Sequence, residues 1–270
     1  MVAAACGWNR SGFLARLSLH CDESLTRIVE EAARQLASGC PAEYITGQAA
    51  FCDLTLRVRQ GVLVPRPETE TLVLLAEDLI VNRHSASAII VDLCSGSGAI
   101  ALALASRLPD TLCIGLELDP VCVSCSLASS VDSGLERRVR FVRGNVLSSW
   151  NLFLGDLKGR TDLIVSNPPY VREQRLDLAC AASPLEPVCA LYGGRSGLVF
   201  YKRIIAQASS WLRPGGTLLL EIDDGLEEGI LDLFERYGLK EGRWLPDFRG
   251  LPRYAEARRG EYEHFGLHCA

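Results

Sequence analysis

The sequence predicts an α/β fold: a mostly parallel sheet with helices on both faces. From residue 88 onward, short apolar runs of strand length alternate with longer runs of helical spacing, and parallel strands require such crossovers. A Gly-rich turn, Gly96-Ser97-Gly98, separates the first apolar run from the first helix, and an acid, Glu117, closes the next apolar run. Sheets of this kind bind ligands at the carboxyl ends of strands, where the strand order reverses.

The elements follow in chain order. Residues 12–38 carry helical spacing through Phe13, Leu14 and Leu17, then Leu25, Ile28, Val29, Ala32, Ala33 and Leu36. Gly39 and Pro41 end that run. Residues 49–64 predict two short strands around Arg59-Gln60-Gly61, because Leu54, Leu56 and Val58 alternate. A helix begins near Pro67 and gives way to a polar stretch from Asn82 to Ser87. Beyond it, 89–93, 112–116, 139–142, 163–165 and 216–222 read as strands. Helices are expected over 99–107, 120–133 and 196–212.

Composition narrows the class. The chain has 270 residues, 48% hydrophobic and 23% charged, as a soluble globular protein does. No apolar run approaches the roughly 20 residues of a membrane span. The net charge of −5 argues against a protein that coats nucleic acid. Arg249, Arg253, Arg258 and Arg259 near the C-terminus read as a solvated face. Eleven cysteines, scattered through helix and strand patterns, fit a reducing compartment. The lone Cys122–Cys125 pair and the His264, His268, Cys269 group predict no metal site. The first 21 residues hold Arg10 and Arg16 and no acid. They read as the start of a small helical region, with a cytoplasmic location expected and an organelle matrix as the alternative.

Asp92-Leu-Cys-Ser-Gly-Ser-Gly98 lies between the first buried strand and its helix. Gly96 and Gly98 permit the positive φ and close backbone approach of a ligand-cradling turn. Glu117, ending the next strand, can accept both ribose hydroxyl protons. This layout serves NAD and S-adenosylmethionine alike, and Ala101 fills the third small position of the dinucleotide fingerprint, so spacing leaves both open. Two residue-level features favour the sulfonium compound. Asp92 at the loop entrance repels a pyrophosphate and attracts a methionine ammonium. The corner after the fourth strand, Ser166-Asn-Pro-Pro-Tyr170, has no role in hydride transfer.

That corner suits methyl transfer to a conjugated nitrogen. An amide or aryl-amine nitrogen is planar and weakly nucleophilic, and no ordinary side chain deprotonates it. An enzyme can instead hold its N–H groups with acceptors and aim the nitrogen at the methyl. The Asn167 side-chain oxygen and the Pro168 carbonyl are two such acceptors, and neither proline adds a competing N–H. Tyr170 offers a flat face for stacking. Acceptors that bind more tightly as positive charge develops on nitrogen are what catalysis requires.

Together these residues resemble the HemK/PrmC family of methyltransferases that modify glutamine in peptide-chain release factors. The resemblance runs from about Pro41 to Arg259. Pro41-Ala-Glu-Tyr-Ile-Thr-Gly47 is similar to the family's entry to its catalytic domain, and Leu63-Val-Pro-Arg-Pro-Glu-Thr-Glu70 to its linker signature. Asp92 to Ile100 resembles the cofactor loop and Ser166 to Tyr170 the catalytic loop. Leu185-Glu-Pro187, Ala190 to Gly194 and Gly197-Leu198 resemble the stretch that follows.

The resemblance implies a class I S-adenosylmethionine-dependent methyltransferase fold, Rossmann-like, with a seven-stranded mostly parallel sheet. It implies a small helical region over 1–40, a β-hairpin and linker over 41–85 and a catalytic domain over 86–270. It implies S-adenosylmethionine as donor, S-adenosylhomocysteine as product, and N5-methylation of the glutamine in a release factor's Gly-Gly-Gln loop. Cofactor contacts are expected at Cys94, Ser95, Gly96, Ser97, Gly98 and Glu117, with Asp92 at the loop entrance. Asn145, Val146 and Asn167 complete that expected set. Asn167, Pro168, Pro169 and Tyr170 would hold the glutamine, and Arg66 and Glu70 would lie near the pocket mouth. Three departures stand out: Gly144-Asn145 where the family often has Gly-Asp, Glu221-Ile-Asp-Asp-Gly225 after the fifth strand, and a shorter N-terminal region. Release factor is the expected partner, with no stable nucleic-acid binding and no membrane. The competing readings are an N6-adenine nucleic-acid methyltransferase, which faces the same chemical problem, and a non-catalytic binding scaffold of the same fold.

Overall fold

The structure, a computed structural model, describes residues 23–82 and 87–261 of the chain. Phe13 to Leu17, Arg10, Arg16 and the His264, His268, Cys269 group lie outside the described residues. Helix α1 (Glu23–Ala37) and the short α2 (Ala42–Thr46) come first. Strands β1 (Gln48–Phe51) and β2 (Leu54–Arg57) pair as an antiparallel hairpin. Its turn falls at Cys52-Asp53, not at Arg59-Gln60-Gly61 as the sequence predicts. Cys52 takes the left-handed φ of 48° that the tight connection needs. Arg59 to Val62 forms a separate turn, closed by the Val62 N–H on the Arg59 carbonyl at 3.0 Å, with Gly61 at φ 95°. Cys52 is an uncommon residue at a left-handed φ, while the Gly of Gln60-Gly61 marks a turn centre, which accounts for the misplacement.

Helix α3 (Pro67–Val81) opens with Pro at its first turn, where the missing N–H is harmless. The remaining elements are β3 (Ile89–Leu93), α4 (Ala99–Arg107), β4 (Leu112–Glu117), α5 (Pro120–Asp132), β5 (Val139–Arg143) and α6 (Asn151–Leu154). They continue through β6 (Thr161–Ser166), α7 (Glu173–Ala182), α8 (Val199–Trp211), β7 (Leu212–Glu221), α9 (Glu227–Arg236), β8 (Leu239–Pro246) and β9 (Pro252–Arg259).

Seven strands form one sheet in the order β5-β4-β3-β6-β7-β9-β8. The first five are mutually parallel, and β9 joins β7 and β8 antiparallel. Strand alternation sends successive side chains to opposite faces. Val91, Ile164, Leu218 and Leu220 pack with α8 and α9, among Tyr201, Ile205, Trp211, Ile230 and Phe234. Ile90, Leu163, Val165 and Leu219 pack on the other face with α3 and α4, among Leu72, Ala76, Leu102 and Leu104. Both faces are covered, which is why the central strands read as continuous apolar runs.

Strand β7 starts at Leu212, earlier than the expected 216. The pairing of β6 with β7 jumps from Thr161↔Leu212 to Leu163↔Thr217. Arg213-Pro214-Gly215-Gly216 is therefore accommodated as a bulge, the one way a strand tolerates such residues. Among the described residues no helix is long and apolar enough to cross a membrane.

The strand order reverses between β3 and β6. The chain leaves β3 toward β4 and β5 on one side, then returns through β6 toward β7 on the other. A crevice opens at their carboxyl ends, as this topology dictates.

Candidate active site

The crevice offers about 800 Å³ of open space, solvent at its mouth included. Cys94 and Gly96 after β3, Glu117 at the end of β4, Asn145 and Val146 after β5, and Asn167 and Pro169 after β6 all line it.

The loop after β3 is shaped by two glycines doing different work. Gly98 has φ 80°, and a Cβ there would stand 2.6 Å from Phe141 Cζ and 2.8 Å from Ser126 Cβ. Gly96 has φ 55° and nothing within 4 Å of its would-be Cβ. Gly98 thus serves packing of the loop on its own fold, while Gly96 leaves open a cradle on the crevice side.

Glu117 is oriented by the loop itself. Its two oxygens accept the Gly96 and Asp119 N–H groups, each at 2.8 Å. Burial still raises its carboxyl above the usual range, against the pull of those donors. Asp119 caps α5 by accepting the Val121 N–H at 2.7 Å.

Asp92 is fully buried beneath the loop. One carboxylate oxygen accepts the Ala101 N–H of α4 at 3.2 Å, and the other has no protein partner. It supports the helix start from below, and it is not among the residues that line the crevice. The Ser95 hydroxyl is likewise buried and unpartnered, and Ser97 is buried. Asn145 Oδ1 accepts the Leu147 N–H at 2.9 Å, which fixes the side chain and leaves the oxygen's second lone pair for another donor.

The Asn-Pro-Pro-Tyr corner is rigid and buried at both prolines. Asn167 Nδ2 donates to Thr69 Oγ1 at 3.0 Å, and Thr69 Oγ1 donates to Glu221 Oε2 at 2.7 Å. The Tyr170 hydroxyl donates to Glu221 Oε1 at 3.2 Å and accepts from Arg253 Nη2 at 3.2 Å. Burial pushes the Tyr170 hydroxyl well up, so it stays a neutral phenol.

The placement of Arg253 corrects the sequence expectation of a solvated face. Its side chain is only 19% exposed, pairs with Glu221 at 3.0 Å and lies 5.6 Å over the Tyr170 ring. The register of β7 with β9, Glu221↔Tyr254, brings it there. Arg258 does pair with an exposed acid, Glu241, and exposed Arg249 pairs with Asp247, whose side chain is buried, while Arg259 is half-buried and donates to the Leu212 carbonyl.

Arg66 and Glu70 are both engaged in holding loops. Arg66 pairs with Glu186, whose other oxygen accepts the Val64 N–H at 3.0 Å. Glu70 accepts the Cys52 N–H at 2.8 Å and so ties α3 to the hairpin turn. Neither is among the residues lining the crevice. Cys122 and Cys125 are buried in a small apolar cluster with Val58, Val62 and Val64.

Sequence reasoning missed Thr69, Glu221 and Arg253. One signal was available: Glu221 ends an apolar strand at the sheet's carboxyl edge, and a buried acid there demands donors. Which donors meet it is a matter of tertiary packing.

The sheet order, the glycine loop, the acid closing β4 and the amide corner after β6 define a class I S-adenosylmethionine-dependent methyltransferase. The Methyltransferase small domain family matches residues 68–186. The release factor glutamine methyltransferase of Geobacter sulfurreducens is 35% identical over 265 residues, 96% of this chain and 88% of that protein. Its counterpart from Mycolicibacterium smegmatis is 35% identical over 224 residues, 83% of this chain and 76% of that protein. A methyltransferase crystal structure from Pyrococcus furiosus shares the fold, with a TM-score of 0.57 at 17% identity over 86% of this chain and 99% of that one. The chain belongs to the release factor glutamine methyltransferase family.

The family and fold imply S-adenosylmethionine as methyl donor, and the residues present fit it. The open cradle at Gly96, the carboxylate of Glu117 and the amide of Asn145 are what a nucleoside-sulfonium needs along one crevice.

Proposed function

We propose that this protein methylates the N5 side-chain nitrogen of the glutamine in the Gly-Gly-Gln loop of a peptide-chain release factor. The observation that carries the reading is the shared crevice: Asn167, from the proton-accepting corner, and Glu117, from the nucleoside end, line the same space.

In this reading Gly96 and its neighbours Cys94, Ser95, Ser97 and Gly98 form the donor-binding loop, with Asp92 beneath it. Glu117 holds the ribose hydroxyls, and Asn145 and Val146 border the adenine. The bound donor supplies a methyl group on a positively charged sulfur. Asn167 Oδ1 and the Pro168 carbonyl accept the two glutamine N–H protons and turn the nitrogen toward that methyl. Pro169 keeps the corner stiff, and Tyr170 borders the planar amide. The carbon–sulfur bond breaks as the carbon–nitrogen bond forms. One amide proton leaves to solvent, and S-adenosylhomocysteine is the co-product. Alignment of this kind can supply up to about 7–11 kcal/mol in ideal cases. Arg66 and Glu70 act as supports of the loops around the mouth rather than as direct ligands.

The test offers labelled S-adenosylmethionine with purified release factor, with a release factor whose loop glutamine is replaced, and with DNA. Label on the intact release factor alone is expected. Label on DNA but not on release factor overturns the reading in favour of an adenine methyltransferase. No label on any of them, with donor still bound, overturns it in favour of a scaffold.

A further inference from the structure

Asn167 can offer a substrate either end of its carboxamide, and only the oxygen can accept a glutamine N–H. What chooses the end lies outside the Asn-Pro-Pro-Tyr stretch. Glu221 closes β7 with no exposed surface, and Thr69 in the first turn of α3 is 4% exposed. The Thr69 hydroxyl lies 2.7 Å from Glu221 Oε2, across 152 residues of sequence, and 3.0 Å from the Asn167 amide, across 98.

Proton counting fixes the direction of this chain. An ionised carboxylate has no proton to give, so Thr69 donates its single proton to Glu221. Its lone pairs are then all it can offer Asn167, so the NH2 end of the amide must face it. The oxygen end is left for the crevice that Asn167 lines. Burial raises the Glu221 carboxyl, and Arg253, at 3.0 Å from its other oxygen, opposes that shift and favours the ionised form on which the direction depends.

We infer that Thr69 and Glu221 are positioning residues that hold the Asn167 carboxamide with its oxygen presented to the substrate amide. This rests on the glutamine-methylating reading above. It also adds a consequence, because a proton on Glu221 could reverse the relay. Protonated Glu221 donates to Thr69, Thr69 donates onward, and the Asn167 oxygen is drawn away from the crevice. The groups facing Glu221 are Arg253 and Tyr254 from β9, Thr69 and Glu68 from α3, Tyr201 from α8, and Tyr170 after β6.

The experiment compares wild type with Thr69→Val, which keeps the shape and loses the hydroxyl, and with Thr69→Ser, which keeps the hydroxyl. Thr69→Ala replaces the valine variant should that one not fold. The first readout needs no substrate: hydrogen exchange of the Asn167 side-chain NH2 by NMR, assigned by its loss in Asn167→Ala. The relay predicts one protected proton in wild type and the serine variant, exchanging at least about tenfold faster in the valine variant. The second readout is methyl transfer to release factor. For Thr69→Val, kcat is expected to fall about 10–100-fold with S-adenosylmethionine affinity within twofold, and Thr69→Ser recovers to within about threefold. The acid limb of kcat, present in wild type and the serine variant, flattens in the valine variant. Unchanged exchange and unchanged kcat in Thr69→Val overturn the inference. A wild-type enzyme that labels no release factor overturns the functional reading instead, and the exchange measurement still decides the relay.

Discussion

Arg253 Nη2 meets Glu221 Oε1 at 3.0 Å, joining the antiparallel strand β9 to the last parallel strand at its carboxyl end. The carboxylate has no exposed surface. Removing one partner of such a pair leaves a buried charge uncompensated, at about 3–5 kcal/mol. Arg253→Met is therefore expected to lower stability by about that amount in urea denaturation. Adding Glu221→Gln to it is expected to recover part of the loss, and no recovery would refute the pairing as the cause.

Asn167→Ala is expected to abolish turnover while leaving S-adenosylmethionine affinity within a few-fold by calorimetry. The corner acts on the accepting amide, and the donor is held chiefly from β3 to β5. A large loss of donor affinity would mean that Asn167 serves the other ligand.

The two loop glycines are expected to separate cleanly. Gly98→Ala places a Cβ 2.6 Å from the Phe141 ring at a φ of 80°, and about 2–4 kcal/mol of stability should be lost from strain and crowding together. Gly96→Ala meets no atom within 4 Å, so only the left-handed backbone strain of about 1–2 kcal/mol remains. Its larger effect falls on donor affinity, because the methyl fills the cradle. Paired denaturation and donor titration of the two variants would expose the opposite pattern if the roles were exchanged.

Stability and turnover are expected to move in opposite directions with pH. Burial raises the Glu221 carboxyl above the ordinary range, against the opposing pull of Arg253, Thr69 and Tyr170. The unfolded chain carries an ordinary glutamate at about 4.3, so between the two values the folded state holds the extra proton. The stability contributed by that proton is full below the unfolded value and is lost as pH rises through the folded one. Asp92 and Glu117 are raised by burial as well and add to the same slope. The relay through Thr69 needs the carboxylate, so kcat rises over the window in which stability falls. Glu221→Gln should flatten the dependence of Tm on pH, and an unchanged slope would acquit Glu221.

Much of the site is local in sequence and was legible there. Gly96 and Gly98 announce a turn of positive φ because few other residues tolerate it. Asn167-Pro-Pro-Tyr170 announces a rigid bend short of donors because proline has no N–H. Glu117 follows from strand length, since an acid as the sixth strand residue falls at the sheet's carboxyl edge. The hairpin turn misled because a cysteine, Cys52, takes the left-handed φ that a glycine usually announces, and α7 and β9 escaped because their polar residues blur the period.

The sequence by itself determined the alternation of strand and helix, the glycine cradle and the stiff amide corner, because each rests on backbone preferences within a few residues. Only the tertiary structure decided how the corner is aimed. Thr69, Glu221 and Arg253 come from α3, β7 and β9, and a buried carboxylate selects its donors by proximity in space. No local pattern encodes which hydroxyl and which guanidinium will be near enough to satisfy it.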